Sequence, residues 1–217
     1  KKVETPVSAV FRNHMKPLIL GTFVMTTTYV LFYIMTAFAQ VYSKSPVTLS
    51  EQGHAMGLGI QPNTFTGFLL ISAIVFGIFI SISGIYADKI GRRKWLLGTT
   101  IGIALLGLCM PLFLTGGTPT SVFLFLIVGM VFMGMTFGPM AALLPEFFPT
   151  EVRYSGASLA YNISSIIGAT VATMVTLKIN AYYGIIGVGI YLAVNAVLTM
   201  IALWLSKETK NIDLTKI

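Results

Sequence analysis

Charge is what this chain has least of. Only 10% of its 217 residues are Asp, Glu, Lys or Arg, against roughly 25% in soluble domains. A soluble protein of this size needs more polar surface than that. Acid is especially scarce: the 7 carboxylates are Glu4, Glu51, Asp88, Glu146, Glu151, Glu208 and Asp213. The single cysteine, Cys109, lies inside an apolar run and excludes an internal disulfide. His14 and His54 stand alone, without a second ligand at metal spacing, so no metal site is expected. HExxH, GxSxG, a membrane-embedded aspartate pair and GxxxxGK[ST] are all missing, which argues against an intramembrane enzyme and an ATP-driven pump. No cofactor is implied.

What the chain does have is long uncharged runs. Nothing from Ala55 to Ala87, nor from Trp95 to Pro145, carries a formal charge. Only a bilayer interior suits so many consecutive apolar residues. Six membrane helices are expected, near Pro17–Tyr42, Pro62–Ala87, Trp95–Thr115, Thr120–Leu144, Tyr154–Leu177 and Gly184–Ser206. A 24-residue helix is about 36 Å long, enough to cross a core of about 30 Å with some tilt. Gly116-Gly117-Thr118-Pro119 and Asn180 to Gly184 supply turn chemistry between runs. The fold class is all-α membrane protein, with a linker over 1–16, a six-span bundle over 17–206 and a tail over 207–217. The first apolar run is too long for a cleavable signal. The start at Lys1, without methionine, is expected of a fragment or processed product.

The net charge of +7 comes from basic residues at the ends of apolar runs rather than along one helical face. That placement reads as membrane topology, not nucleic-acid binding. Twelve of the 14 Lys and Arg residues fall on one side of a six-span layout; only Lys44 and Lys178 fall on the other. Both ends and the loop near residue 90 are therefore expected in the cytoplasm.

That loop reads Gly84-Ile-Tyr-Ala-Asp88-Lys89-Ile-Gly91-Arg92-Arg93-Lys94. Gly84 is expected to allow close helix approach, and Gly91 to permit a short interhelical turn. Asp88 is suited to capping a helix N-terminus, of its own following helix or of one in another bundle, where an anion is favoured. A second charged element, Pro145-Glu146-Phe147-Phe148-Pro149-Thr150-Glu151-Val152-Arg153, joins two later spans. Pro149 is expected to fold the chain back and bring Glu146 toward Arg92 or Arg93. An arginine–carboxylate–arginine cluster of that kind, with Arg153 nearby, would be strong when occluded and weak when hydrated.

The pattern G-x-x-x-D-K-x-G-R-R-K resembles the signature loop of the major facilitator superfamily of secondary transporters. The run from Leu144 to Ser158, continuing through Tyr161-Asn162-Ile163-Ser164-Ser165, resembles the metabolite:proton symporters, bacterial carriers of organic acids, betaines and similar metabolites. The Glu-x6-Arg element and Glu208-Thr209-Lys210 also resemble the sugar porters, whose paired glutamines have no counterpart in Thr22–Thr36. The resemblance implies transport by alternating access in a bacterial inner membrane. It implies twelve spans in two bundles, of which this chain would be the second, with an N-terminal six-helix bundle as its missing partner. A small-molecule substrate, protons and lipid are the implied partners. Gly84, Asp88, Gly91, Arg92, Arg93, Glu146 and Arg153 would form a cytoplasmic latch.

The superfamily lines its cavity with helices corresponding to the first, second, fourth and fifth spans here. Tyr29 and Tyr33, four apart and hence on one face, are the candidates from the first span. Tyr161, Asn162 and Ser165 are those from the fifth. No Asp, Glu or His falls mid-span, so a proton-relaying carboxylate is expected in the other bundle. A channel, a sugar carrier and a non-transporting half with a binding or regulatory role are the competing readings.

Overall fold

A computed structural model describes residues 5–168 and 172–206. The expected tail over 207–217 and the first four residues of the expected linker lie outside the described residues. Among the described residues there are helices and turns, and one isolated bridge between Leu49 and Ala55.

The helices are α1 (Pro6–Asn13), α2 (Met15–Tyr33), α3 (Ala39–Lys44), α4 (Pro62–Ile90), α5 (Arg92–Leu114), α6 (Pro119–Leu143), α7 (Arg153–Ile166) and α8 (Ala172–Leu205). A π-helical turn, Ile34–Phe38, makes α2 and α3 one membrane-length rod. Proline opens α4 and α6 at the first helical position, where its missing N–H costs nothing. Thr118 caps α6 by accepting from the Ser121 amide at 3.3 Å. Gly91 joins α4 to α5 with φ 114°, a backbone state that a side chain would strain.

Among the described residues five helices are long and apolar enough to cross a membrane, where six spans are expected. The fifth expected span falls on α7 and the first arm of α8, with residues 169–171 outside the described residues between them, and the two arms of α8 meet at Gly184, a non-helical residue with φ 71°. Hydrogen bonds to fixed points fix the direction of each arm. The Ser164 hydroxyl donates to the Thr22 carbonyl at 2.7 Å, and the Asn180 amide to the Ala55 carbonyl at 3.1 Å. Beyond Gly184, Thr199 donates to the Phe23 carbonyl at 2.6 Å and accepts from Thr27 at 2.8 Å. The chain thus climbs from the level of Thr22 to that of Ala55 and returns to that of Phe23. The joint expected over Asn180 to Gly184 is confined to one glycine, because Asn180 and Tyr183 remain helical.

Residues 6–13 of the expected linker form a helix packed on α2 and α7, with Val10 fully buried. Otherwise α4 packs mainly on α6, α5 on α8, and α2 on α7 and α8. One core around Phe38, Tyr42 and Phe125 fills the end near Ala55, and a second around Met25, Leu144 and Phe148 fills the end near Gly91.

α4 is the helix that this bundle covers least: only Phe65, Ser72, Ser83 and Ala87 are buried along it. Ile74, Ile78, Ile82 and Ile85 are exposed. Such a surface requires lipid or another apolar bundle beside it.

Candidate functional site

The two charged elements meet at the Gly91 end of the bundle. Arg92, the first residue of α5, donates from Nε to Asp88 Oδ1 at 2.8 Å across the Gly91 turn, and from Nη1 to Glu146 Oε1. Asp88 is 62% exposed at its side chain, Arg92 20% and Glu146 11%. The arrangement is a carboxylate–arginine–carboxylate bridge, where the sequence pattern suggests two arginines on one carboxylate. Arg93 lies elsewhere because the next helical position turns it away. Its Nη2 donates to the Trp204 carbonyl at 2.7 Å, near the end of α8, where a cation meets the unpaired carbonyls of a helix terminus.

Asp88 does not cap its own following helix. Gly91 holds that position, without a side-chain cap, and Asp88 spends an oxygen on Arg92 instead.

Pro145–Phe147 forms a 3-10 turn after α6, and the chain then extends at Phe148. Phe148 is fully buried in a notch at Gly156, where an added Cβ would lie 2.3 Å from its ring. That seat fixes the 145–153 element, and Arg153 Nε donates to the Phe148 carbonyl at 3.3 Å. Glu146 Oε2 and Arg153 Nη2 are each buried without a hydrogen-bond partner among the described residues. Buried charged atoms left unpaired are costly, so each is an open valence for another arrangement of this end.

α4 and α6 do approach closely at Gly84, whose backbone nitrogen would lie 3.1 Å from a Cβ on Gly138, but Gly84 itself is open on its other side. A Cβ built there meets nothing within 4 Å, because α4 and α6 touch through the opposite glycines. A Cβ on Gly138 would lie 2.1 Å from Ser83 Oγ and 2.5 Å from the Ile80 carbonyl, and one on Gly134 2.8 Å from the Phe76 carbonyl. Ser83 seals that contact by donating to the Gly134 carbonyl at 2.9 Å.

Of the cavity candidates, three tyrosines come together. Tyr29 and Tyr33 are half-buried on one face of α2, and Tyr161 of α7 is an electrostatic neighbour of Tyr29. Gly168 lets the chain after α7 close on Tyr29, since a Cβ there would lie 2.4 Å from that of Tyr29. Asn162 is exposed beside this group, its amide donating to the Ser158 carbonyl of its own helix at 2.8 Å. Ser165 is half-buried on α7. A groove of about 550 Å³ runs along the same side of α7, lined by Arg153, Tyr154, Ser158 and Tyr161. The neighbouring polar residues are internal glue: Thr26 and Ser164 donate to backbone carbonyls, and Thr27 to Thr199. Among the described residues no group of His, Cys, Asp and Glu is arranged to hold a metal.

The sequence of residues 56–217 matches the model of the family described as "Sugar (and other) transporter". The chain belongs to that family, within the major facilitator superfamily. It is 71% identical over its whole length to a Haemophilus influenzae protein named for metabolite transport, covering 50% of that protein. It is 46% identical over 213 residues to the "Inner membrane metabolite transport protein YhjE" of Escherichia coli, covering 97% of this chain and 47% of that one. It is 29% identical over 147 residues to the "Proline/betaine transporter" of Escherichia coli, covering 67% of this chain and 29% of that one. The chain thus spans about half the length of the first relatives it matches. No solved structure matches it.

Membership in a transporter family accounts for a bundle with one bare helix and charge at one end. Sequence reasoning missed Gly156 and Gly168, whose role is to seat Phe148 and Tyr29. It also missed Gln40 and Lys44, which continue the half-buried face of α2 past Tyr33. The readable signal was spacing, since Tyr29, Tyr33, Ala37, Gln40 and Lys44 recur every three or four residues.

Proposed function

We propose that this chain is the C-terminal half of a proton-coupled carrier for small metabolites, working by alternating access with an N-terminal six-helix bundle. The observation that carries the reading is the Asp88–Arg92–Glu146 bridge, beside Glu146 Oε2 and Arg153 Nη2, which have no hydrogen-bond partner among the described residues. In this reading that end faces the cytoplasm, as the distribution of basic residues implies. Occlusion strengthens the ion pairs and hydration weakens them, so the bridge favours whichever state buries it. Asp88, more than half exposed beside the uncovered Gly84, reaches the other bundle. The contact breaks as the two bundles rock apart.

Tyr29, Tyr33, Tyr161, Asn162 and Ser165 present neutral hydrogen-bonding groups and aromatic walls to the substrate. The proton-carrying carboxylate belongs to the partner bundle, because no carboxylate of this chain lies mid-span. The name of one relative, a proline/betaine transporter, supports proline or a betaine over a sugar, and an organic acid rests on the resemblance of residues 144–165 alone. The test is uptake by the full-length carrier in proteoliposomes under an imposed proton gradient. Gradient-driven uptake of such a solute supports the reading, and gradient-independent uptake removes the proton from it.

A further inference from the structure

The half-buried face that carries Tyr29 and Tyr33 does not stop at the tyrosines. The π-helical turn Ile34–Phe38 follows at once, and beyond it Gln40 and Lys44 occupy the same face. Around them Ile34, Met35, Phe38, Ala39 and Tyr42 are buried. The wider turn therefore keeps the apolar side of the rod in the core on both sides of the join. π-turns are rare and gather at functional sites.

Lys44 ends the rod on the side away from Gly91. A lysine at a helix end ordinarily extends its ammonium into water. Here the ammonium is held back in two ways. Its Nζ sits 5.6 Å from the centroid of the Phe65 ring, which is itself fully buried. The Gln40 amide, oriented with its nitrogen on the Thr36 carbonyl at 3.1 Å, accepts from Lys44 Nζ at 3.1 Å. Among the described residues no carboxylate lies within ion-pair distance of Lys44. An ammonium has three donors, and Gln40 takes one. The site therefore holds a positioned positive charge with donor capacity to spare.

Resting on the carrier reading above, we propose that Lys44, braced by Gln40 and Phe65, is a recognition site for the carboxylate of the substrate at the mouth away from Gly91. Eleven residues of helix, about 16 Å, separate Lys44 from Tyr33, too far for one small metabolite to touch both. Lys44 is thus a first contact, distinct from the tyrosine pocket. A carboxylate gains a charge-assisted hydrogen bond there and a neutral solute does not. The site selects on affinity and encounter rather than on the turnover of bound substrate.

The test uses the purified full-length carrier. Thermal unfolding is titrated with succinate, shikimate, glycine betaine and glucose, in the natural protein and in Lys44→Gln, Lys44→Arg and Gln40→Ala. The site requires that at least one carboxylate stabilises the natural protein and that Lys44→Gln weakens its apparent affinity about tenfold or more. Lys44→Arg retains most of the affinity, Gln40→Ala loses about threefold, and glucose does not distinguish the variants. Equal carboxylate affinity in Lys44→Gln overturns the proposal, as does failure of every carboxylate to stabilise the natural protein. Proteoliposome uptake is measured alongside. Lys44-dependent binding without uptake sinks the carrier reading and leaves the site; uptake indifferent to Lys44 sinks the site and leaves the carrier.

Discussion

Arg92 and Glu146, 54 residues apart in sequence, are joined side chain to side chain at the Gly91 end of the bundle. The same guanidinium holds Asp88, so one residue ties the α4–α5 turn to the element that follows α6. The partners differ in burial, and that difference separates folding from function. Glu146→Gln removes one side of a pair largely withdrawn from water and is expected to cost about 1–3 kcal/mol in detergent unfolding. Asp88→Asn, at an exposed site, is expected to stay within about 1 kcal/mol while lowering transport severely. Equal destabilisation by both would reduce the bridge to a structural clamp.

The α4–α6 contact predicts opposite outcomes for two glycines. Gly138→Ala pushes a methyl into Ser83 and the Ile80 carbonyl, and is expected to destabilise the bundle by about 1–3 kcal/mol. Gly84→Ala meets open space and is expected to leave the isolated bundle unchanged. If Gly84→Ala impairs the full-length carrier alone, the glycine serves the contact with the partner bundle.

The tyrosine group predicts a loss of affinity without a loss of fold. Tyr161→Phe and Tyr33→Phe are each expected to raise the apparent KM for the transported solute about five- to tenfold, from one lost hydrogen bond. Expression and unfolding temperature should not change. Unaltered KM in both would move the pocket away from these residues.

Sidedness is directly measurable. In a Cys109→Ser background, Gln52→Cys is expected to react with an impermeant maleimide added outside intact cells, and Glu151→Cys only after permeabilisation. Both positions are exposed. The reverse pattern would invert the assignment of the bridge to the cytoplasm.

How much of this was legible in the sequence follows from physical scale. Uncharged runs and proline starts are local, so the first four spans were readable to within a few residues. The Gly91 turn was readable too, because the chemistry of the turn lies within the turn. The return at Gly184 was placed correctly but too broadly, since one glycine suffices where five residues resemble a loop. Long-range geometry was harder. Pattern alone cannot tell that Arg92 rather than Arg93 meets Glu146, because one helical position rotates a side chain by about 100°. Gly84 lies at the close α4–α6 approach, but the glycine that approach requires is Gly138, because Gly84 turns its backbone toward α6 and its open side away. Gln40 and Lys44 follow Tyr29, Tyr33 and Ala37 at helical spacing, but the π-turn among them leaves no sequence mark.

The most direct measurement is uptake by the full-length carrier in proteoliposomes, with a proton gradient imposed, over organic acids, betaines and sugars. The account predicts gradient-driven accumulation of an acid or betaine, abolished by Asp88→Asn in protein that remains folded. Well-folded carrier that accumulates none of these solutes would contradict it.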